Sequence, residues 1–548
     1  MRLLLAGAVA LLATSVPATS ALAAAADLVI WGGPIYTGVT PAKVEAVVVR
    51  AGRIAYVGSR HEAETQVGEK TQVIDLAGAA LFPGFTDSHA HLDGIGEREL
   101  TLSLEGARSA AEAAGRVKAY LAEHRPTGVV WGRGWIETGW PEGRFLDRKD
   151  IDPISGDQPV LLGRADGHAV VANTAALKAA GIDEHTAAPE GGAILKDADG
   201  RLTGMLVDNA MRLVAPLRKA PTEADRRVRF EAAFKVETRY GWTGAHSMSV
   251  NWNDVLLLEK MDAEGQAPLR VYNAVEADQA DPLFAHGPRQ TPDGRITTRD
   301  IKLYEDGALG SRGALLFAPY ADAPATSGLM RTPPEVMRAA MTKAKAAGIQ
   351  VSVHAIGDKG NANVLDLYAE QGVKGLRWRI EHAQILRPAD IPRFAQLGVI
   401  ASMQPSHAIG DFHFAPARLG EARLKGAYAW KSLLDAGAVV VGGSDAPVER
   451  GNPLIEFYAA VVRKDLKGAS APDWHPEERL SREEALKLFT SSSAYARFAE
   501  KELGTIEVGK RADLSGFSVD LMTAPEEQIP QGHAVLTMVD GQVVYRNQ

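Results

Sequence analysis

Phe82-Pro83-Gly84-Phe85-Thr86-Asp87-Ser88-His89-Ala90-His91 is an apolar run that ends in two histidines at i and i+2. Side chains two apart on a strand project to the same side, so His89 and His91 can hold one metal ion together. The plainer reading is a chance pairing at a wet strand end, in a chain with 14 histidines. The rest of the chain decides between the two.

Downstream the chain repeats one unit: amphipathic helix, glycine, apolar strand, polar residue. A helix from Pro333 stopped at Gly348 leads into Ile349-Gln350-Val351-Ser352-Val353 and then His354. Others stop at Gly398 before Val399–Gln404 and at Gly437 before Ala438–Ser444 and Asp445, and a helix capped at Thr222 ends at Gly241 before Trp242–His246. Glycine just past each helix is the expected left-handed stop. Helices alternating with nearly all-apolar strands imply a parallel sheet covered on both sides or closed on itself. Candidate strands end near His89, His168, His246, Lys302, His354, His382, Gln404 and Asp445, which predicts an α/β fold, a (β/α)8 TIM barrel over residues 81–495. Chemistry in that fold sits at the C-terminal strand ends, where these polar residues fall.

The flanks have a different texture. Short strands and turns fill residues 24–80 and recur over 496–548, and neither piece has apolar surface enough to fold alone. The expectation is one composite β-sandwich built from both termini. Two long connections, at about 93–160 and 172–240, read as insertions over the barrel mouth, the first bearing Trp131, Trp135 and Trp140. Met1-Arg2, an apolar run to Val16 and Ala21-Leu22-Ala23 read as a cleavable signal peptide over 1–23, too short for a stable membrane anchor. The expected location is therefore periplasmic or secreted. A net charge of -8 without basic runs excludes a nucleic-acid partner of the usual kind and points to a small-molecule substrate, with a homo-oligomer left open.

Cysteine is absent, which removes disulfides, thiolate ligands and a cysteine nucleophile. Candidate ligands are then His89, His91, Lys302, His354, His382 and Asp445, a set suited to a divalent ion such as zinc, one or two per site. Lys302 is the odd member, because an ammonium beside a cation is strongly disfavoured. Reaction of its amine with CO2 gives an anionic carbamate able to bridge two ions; an ion-paired lysine is the alternative. His168 is a candidate for contact with a substrate carbonyl or its oxyanion, His246 faces the same choice between site and structure, and Arg312 either meets a substrate carboxylate or holds its own loop. Trp135 is a candidate wall for an apolar or aromatic group.

Taken together, Thr86–His91, Ile301-Lys302 with Glu305–Arg312, Val353–Asp358, Arg379–His382 and Gly443–Pro447 resemble the metal-dependent amidohydrolase superfamily, most closely its family 3 branch, which includes N-substituted formamide deformylase and many secreted hydrolases. The likeness spans nearly the whole mature chain. It implies that His89, His91 and Asp445 hold one ion, that His354 and His382 hold a second, and that carboxylated Lys302 bridges them. It also implies hydrolysis of an amide-type, non-peptide C–N bond by metal-activated water with Asp445 as general base. Esters, lactones and cyclic amides suit the same chemistry, and a non-catalytic binding protein on a barrel scaffold is the reading from another class.

Overall fold

The computed structural model describes residues 25–472 and 474–547, so the expected leader lies outside the described residues. Eight parallel strands form a nearly closed barrel: β1 (Phe85–Ala90), β2 (Trp242–Val250), β3 (Arg270–Glu276), β4 (Ile296–Tyr304), β5 (Gln350–Ala355), β6 (Arg379–His382), β7 (Ile400–Met403) and β8 (Val440–Gly442). The seam between β8 and β1 is joined by loop backbone and by one carboxylate. Asp445 N donates to His89 O at 2.7 Å and His91 N to Ala446 O at 2.8 Å, while Asp87 Oδ1 accepts from Ser444 N at 2.9 Å and from His89 N at 3.1 Å. The helix Glu223–Tyr240 that feeds β2 starts in a Thr222/Asp225 capping box and stops at Gly241 with φ 104°, a conformation costly for any residue with a Cβ.

The strand count of eight holds, but one member differs from the sequence reading. Val160–Arg164, which leads to His168, is not in the barrel, and Arg270–Glu276 takes its place in the count. Residues between β1 and β2 instead carry a separate six-stranded sheet, in the order 192–196, 202–208, 169–172, 160–164, 130–135, 102–103. Val160–Arg164 pairs parallel with Val130–Trp135 and antiparallel with Ala169–Ala172. Both its faces are buried: Val160 and Leu162 pack with Val117 and Ile151, and Leu161 with Leu177 and Leu206. A strand buried on both sides reads as a continuous apolar run whichever sheet it belongs to.

The terminal segments combine as expected, into one eight-stranded mixed sheet. Strands 80–83 and 514–517 pair antiparallel and join the N-terminal strands to the C-terminal hairpin 534–546, and Ile30, Val47, Leu81, Leu514 and Met538 share a core. The opening motif is thus divided at Gly84. Ala80–Pro83 belongs to this sheet and Phe85–Ala90 to the barrel. A Cβ on Gly84 would lie 2.4 Å from Thr243 Oγ1, so the crossing needs glycine. Phe85 stacks on Phe489 with centroids 5.8 Å apart and meets Phe517 edge-on at 5.2 Å, tying strand one to the C-terminal segment. Arg270, buried at the base of β3, pairs with Asp513 Oδ2 at 2.5 Å and with Asp540, a second tie between barrel and sheet. Among the described residues no helix is long and apolar enough to cross a membrane.

Candidate metal centre

Side chains from the C-terminal ends of five barrel strands meet in one place. His89 Nε2 lies 3.3 Å and His91 Nε2 3.2 Å from Asp445 Oδ1, and these three form a group with the spacing a metal ion requires. The His382 ring centroid is 4.9 Å from that of His89 and 4.5 Å from that of His354. Lys302 lines the same cavity and is buried. His382 and Asp445 hold positive φ of 74° and 58°, and Ala383 of 42°. Such backbone is unfavourable for non-glycine residues and clusters at sites where geometry outweighs strain.

A second group lies beyond the reach of the strand-end pattern. His407, on the helix Pro405–Asp411 after β7, lies 3.5 Å from Asp445 Oδ2 and with His382 and Asp445 makes another set of metal-compatible spacing. The sequence reading ends strand seven at Gln404 and assigns no ligand after it. The available signal is the polar sequence Gln404-Pro405-Ser406-His407, in which the proline starts a helix that turns His407 back over the mouth.

Buried groups around the cluster fix the rings. His89 Nδ1 makes a very short contact with Glu381 Oε2, and Glu381 Oε1 lies 2.7 Å from Arg379 Nε, all three side chains being fully buried. His382 Nδ1 lies 2.8 Å from Gln404 Oε1. Burial pushes the His91, His354 and His382 imidazoles below the ordinary histidine value, and the last two well below it, leaving neutral rings with lone pairs to offer. Burial alone would raise the Asp445 carboxyl, but the neighbouring imidazoles, His89 foremost, hold it well below the usual carboxylate range. Burial lowers the Lys302 ammonium as well, against the pull of Glu381 and Asp445.

His89 Nε2, His354 Nε2, His407 Nε2 and Asp445 Oδ1 are buried without a hydrogen-bond partner among the described residues. Orphaned polar atoms of this kind carry a free-energy cost unless something else satisfies them. Four nitrogen and oxygen donors around one space suit a divalent cation.

Two cavities open from the cluster, of about 330 and 340 Å³, and His168, His354, His382 and Asp445 line both. His168 comes from the insertion, with its ring centroid 5.0 Å from that of His354, and its Nδ1 is 2.6 Å from Asp208 Oδ1. Asp208 itself has φ 49°. The remaining candidates lie elsewhere. His246 accepts from Arg379 Nη1 at 2.8 Å inside the barrel and lines neither cavity. Arg312 pairs with Asp322 at 2.9 Å, the loop-holding arrangement, and lines neither cavity. Trp135 is fully buried in the insertion core and donates to Leu162 O at 2.8 Å, so its ring reaches no cavity wall.

Comparison with known proteins agrees with the fold. The model of the amidohydrolase family Amidohydro_3 matches residues 72–545, and the chain belongs to that family. It is 36% identical to YtcJ of Bacillus subtilis strain 168, over 94% of this chain and 99% of the relative. It is 28% identical to the N-substituted formamide deformylase of Arthrobacter pascens, over 91% and 95%. An uncharacterized metal-dependent hydrolase of Pyrococcus horikoshii has the same architecture, with a TM-score of 0.74 and 29% identity over 91% of this chain and 99% of its own.

Proposed function

We propose that the protein hydrolyses an amide-type, non-peptide C–N bond, with zinc as the divalent ion. The supporting observation is the convergence of His89, His91 and Asp445 at the floor of the 330 Å³ cavity, with His89 Nε2 and Asp445 Oδ1 orphaned. These three would hold one ion, and His354 and His382 a second. Lys302, buried and with its ammonium disfavoured by burial, would bridge them as the CO2-derived carbamate. A bound divalent ion supplies Lewis acidity, polarising a carbonyl and lowering the pKa of water.

The chain's own groups do the rest. Asp445, held as a carboxylate, takes the proton of the attacking water and delivers it to the leaving nitrogen. His168, its ring oriented by Asp208 through Nδ1, lines the cavity beside the cluster, where it would contact the substrate carbonyl oxygen or its oxyanion. The formamide deformylase among the relatives supports a C–N substrate. From the composition of residues 1–23 we further infer a periplasmic or secreted enzyme acting on a small molecule. The test is turnover of a panel of N-substituted formamides, N-acyl amino acids, hydantoins and lactones by wild type and Asp445→Asn. Cleavage of an amide by wild type, with a loss of about 10²- to 10⁴-fold in turnover per bound metal in the variant, is expected. Turnover retained by Asp445→Asn would show the proton acceptor to be another group.

A further inference from the structure

Most cationic side chains near the mouth are already matched. Arg164 is paired with Glu137 and Asp166, and Arg218 and Arg229 share Glu97. Arg98 donates to the carbonyls of Glu449 and Arg450. Two arginines in the wall of the 330 Å³ cavity are different. Arg133, on the insertion strand Val130–Trp135, is only 8% exposed, and its Nη1 is buried without a hydrogen-bond partner among the described residues. Among the described residues its guanidinium makes one hydrogen bond, a long 3.5 Å donation from Nη2 to Ala165 O. Arg331 stacks over the Tyr304 ring at 4.5 Å, with its Nε buried and without a hydrogen-bond partner among the described residues. Neither has a carboxylate within ion-pair distance among the described residues, since the nearby Glu97 is taken by Arg218 and Arg229.

A guanidinium desolvated without an anion is unfavourable, and arginine's planar fork fits carboxylate oxygens. The floor of this cavity carries the His89, His91 and Lys302 side chains, so an anion bound by the wall sits beside the reacting centre. The second cavity is lined in part by Ile136, Leu309, Ile356 and Phe414, an apolar surface on the other side of the same cluster. Resting on the hydrolase reading above, we propose that Arg133 and Arg331 form a subsite for a substrate carboxylate, so that the enzyme acts on amides that carry a carboxylate on one side of the scissile bond and an apolar group on the other.

The experiment compares N-benzoylglycine with N-benzoylglycinamide, which differ only in that charge. Binding to the metal-loaded full chain is followed by calorimetry for wild type, Arg133→Met and Arg331→Met, with circular dichroism and metal content confirming that each variant is intact. Wild type is expected to bind the acid at least tenfold tighter than the amide, and each variant to lose most of that preference with little change for the amide. An equal preference in wild type and both variants would place the carboxylate on the metal and overturn the subsite, as would no preference in wild type. Arg331 is half-buried, so its variant reads out even where loss of the buried Arg133 unfolds the insertion. Because the readout is binding, the two readings fail separately: the contrast without turnover of any amide sinks only the hydrolase reading, and turnover without the contrast sinks only the subsite.

Discussion

Replacing Glu381 by glutamine should weaken metal binding although Glu381 is not itself placed as a ligand. Its Oε2 contacts His89 Nδ1, fixing the ring so that Nε2 points to Asp445, and the same carboxylate pairs with Arg379 Nε at 2.7 Å. Loss of a carboxylate behind a metal-binding histidine typically costs 10- to 100-fold in metal affinity, about 1.4 to 2.7 kcal/mol. The change also leaves Arg379 without its anion. Breaking a fully buried pair costs about 3–5 kcal/mol. Arg379 keeps its donations to Ser88 O at 2.6 Å and Ser402 Oγ at 2.8 Å, so the lower end, about 3 kcal/mol, is expected. Metal affinity is read by competition with a chromogenic chelator, and stability by urea denaturation of the metal-free protein. A folded Glu381→Gln protein that binds zinc as tightly as wild type would refute the reasoning, because the orientation of His89 would then not depend on its partner.

Two other predictions concern the barrel itself. A methyl group at Gly443 would lie 2.4 Å from His89 N and 2.8 Å from Asp87 Oδ1, so Gly443→Ala should force apart the seam that aligns His89 with Asp445. Reduced metal content together with a lower unfolding midpoint is expected, and a normal metal content would contradict it. Glu305, fully buried, has its carboxyl pushed up from 4.5 to about 7 by burial. Folding therefore takes up a proton between pH 4.5 and 7, so this group's contribution is most favourable below 4.5 and declines as the pH rises to about 7, by up to about 3 kcal/mol. Glu305→Gln should flatten the pH dependence of stability across that window, measured as the difference in denaturation midpoint from wild type, and an identical profile would show that the shift is absent.

The barrel is most legible at β5 and β8, where a glycine stop, an apolar run and a terminal His or Asp recur together. The third strand is not. Arg270-Val271-Tyr272-Asn273-Ala274-Val275-Glu276 carries polar residues that read as surface, yet Arg270 is satisfied by Asp513 and Asn273 Nδ2 donates to Thr298 Oγ1 at 3.1 Å. Partners hundreds of residues away, or on a neighbouring strand, leave no local trace. The reverse holds for Val160–Arg164, apolar because the insertion covers it on both sides. His89, His91, Lys302, His354, His382 and Asp445 stand out in the sequence because each falls at a strand end, whereas His407 sits one helical turn beyond one. Trp135 stands out through composition alone, and an indole as readily fills a core as a substrate wall.

Metal content is the measurement closest to the central claim that separate strands deliver donors to one cation. Protein purified without chelator and freed of loosely bound ions should contain at least one equivalent of a divalent metal per chain by plasma mass spectrometry. His89→Ala and His91→Ala should each reduce that content to background while the barrel remains folded by circular dichroism. Wild-type protein that neither retains nor takes up a divalent ion, or a His89→Ala variant that holds as much as wild type, would contradict the account.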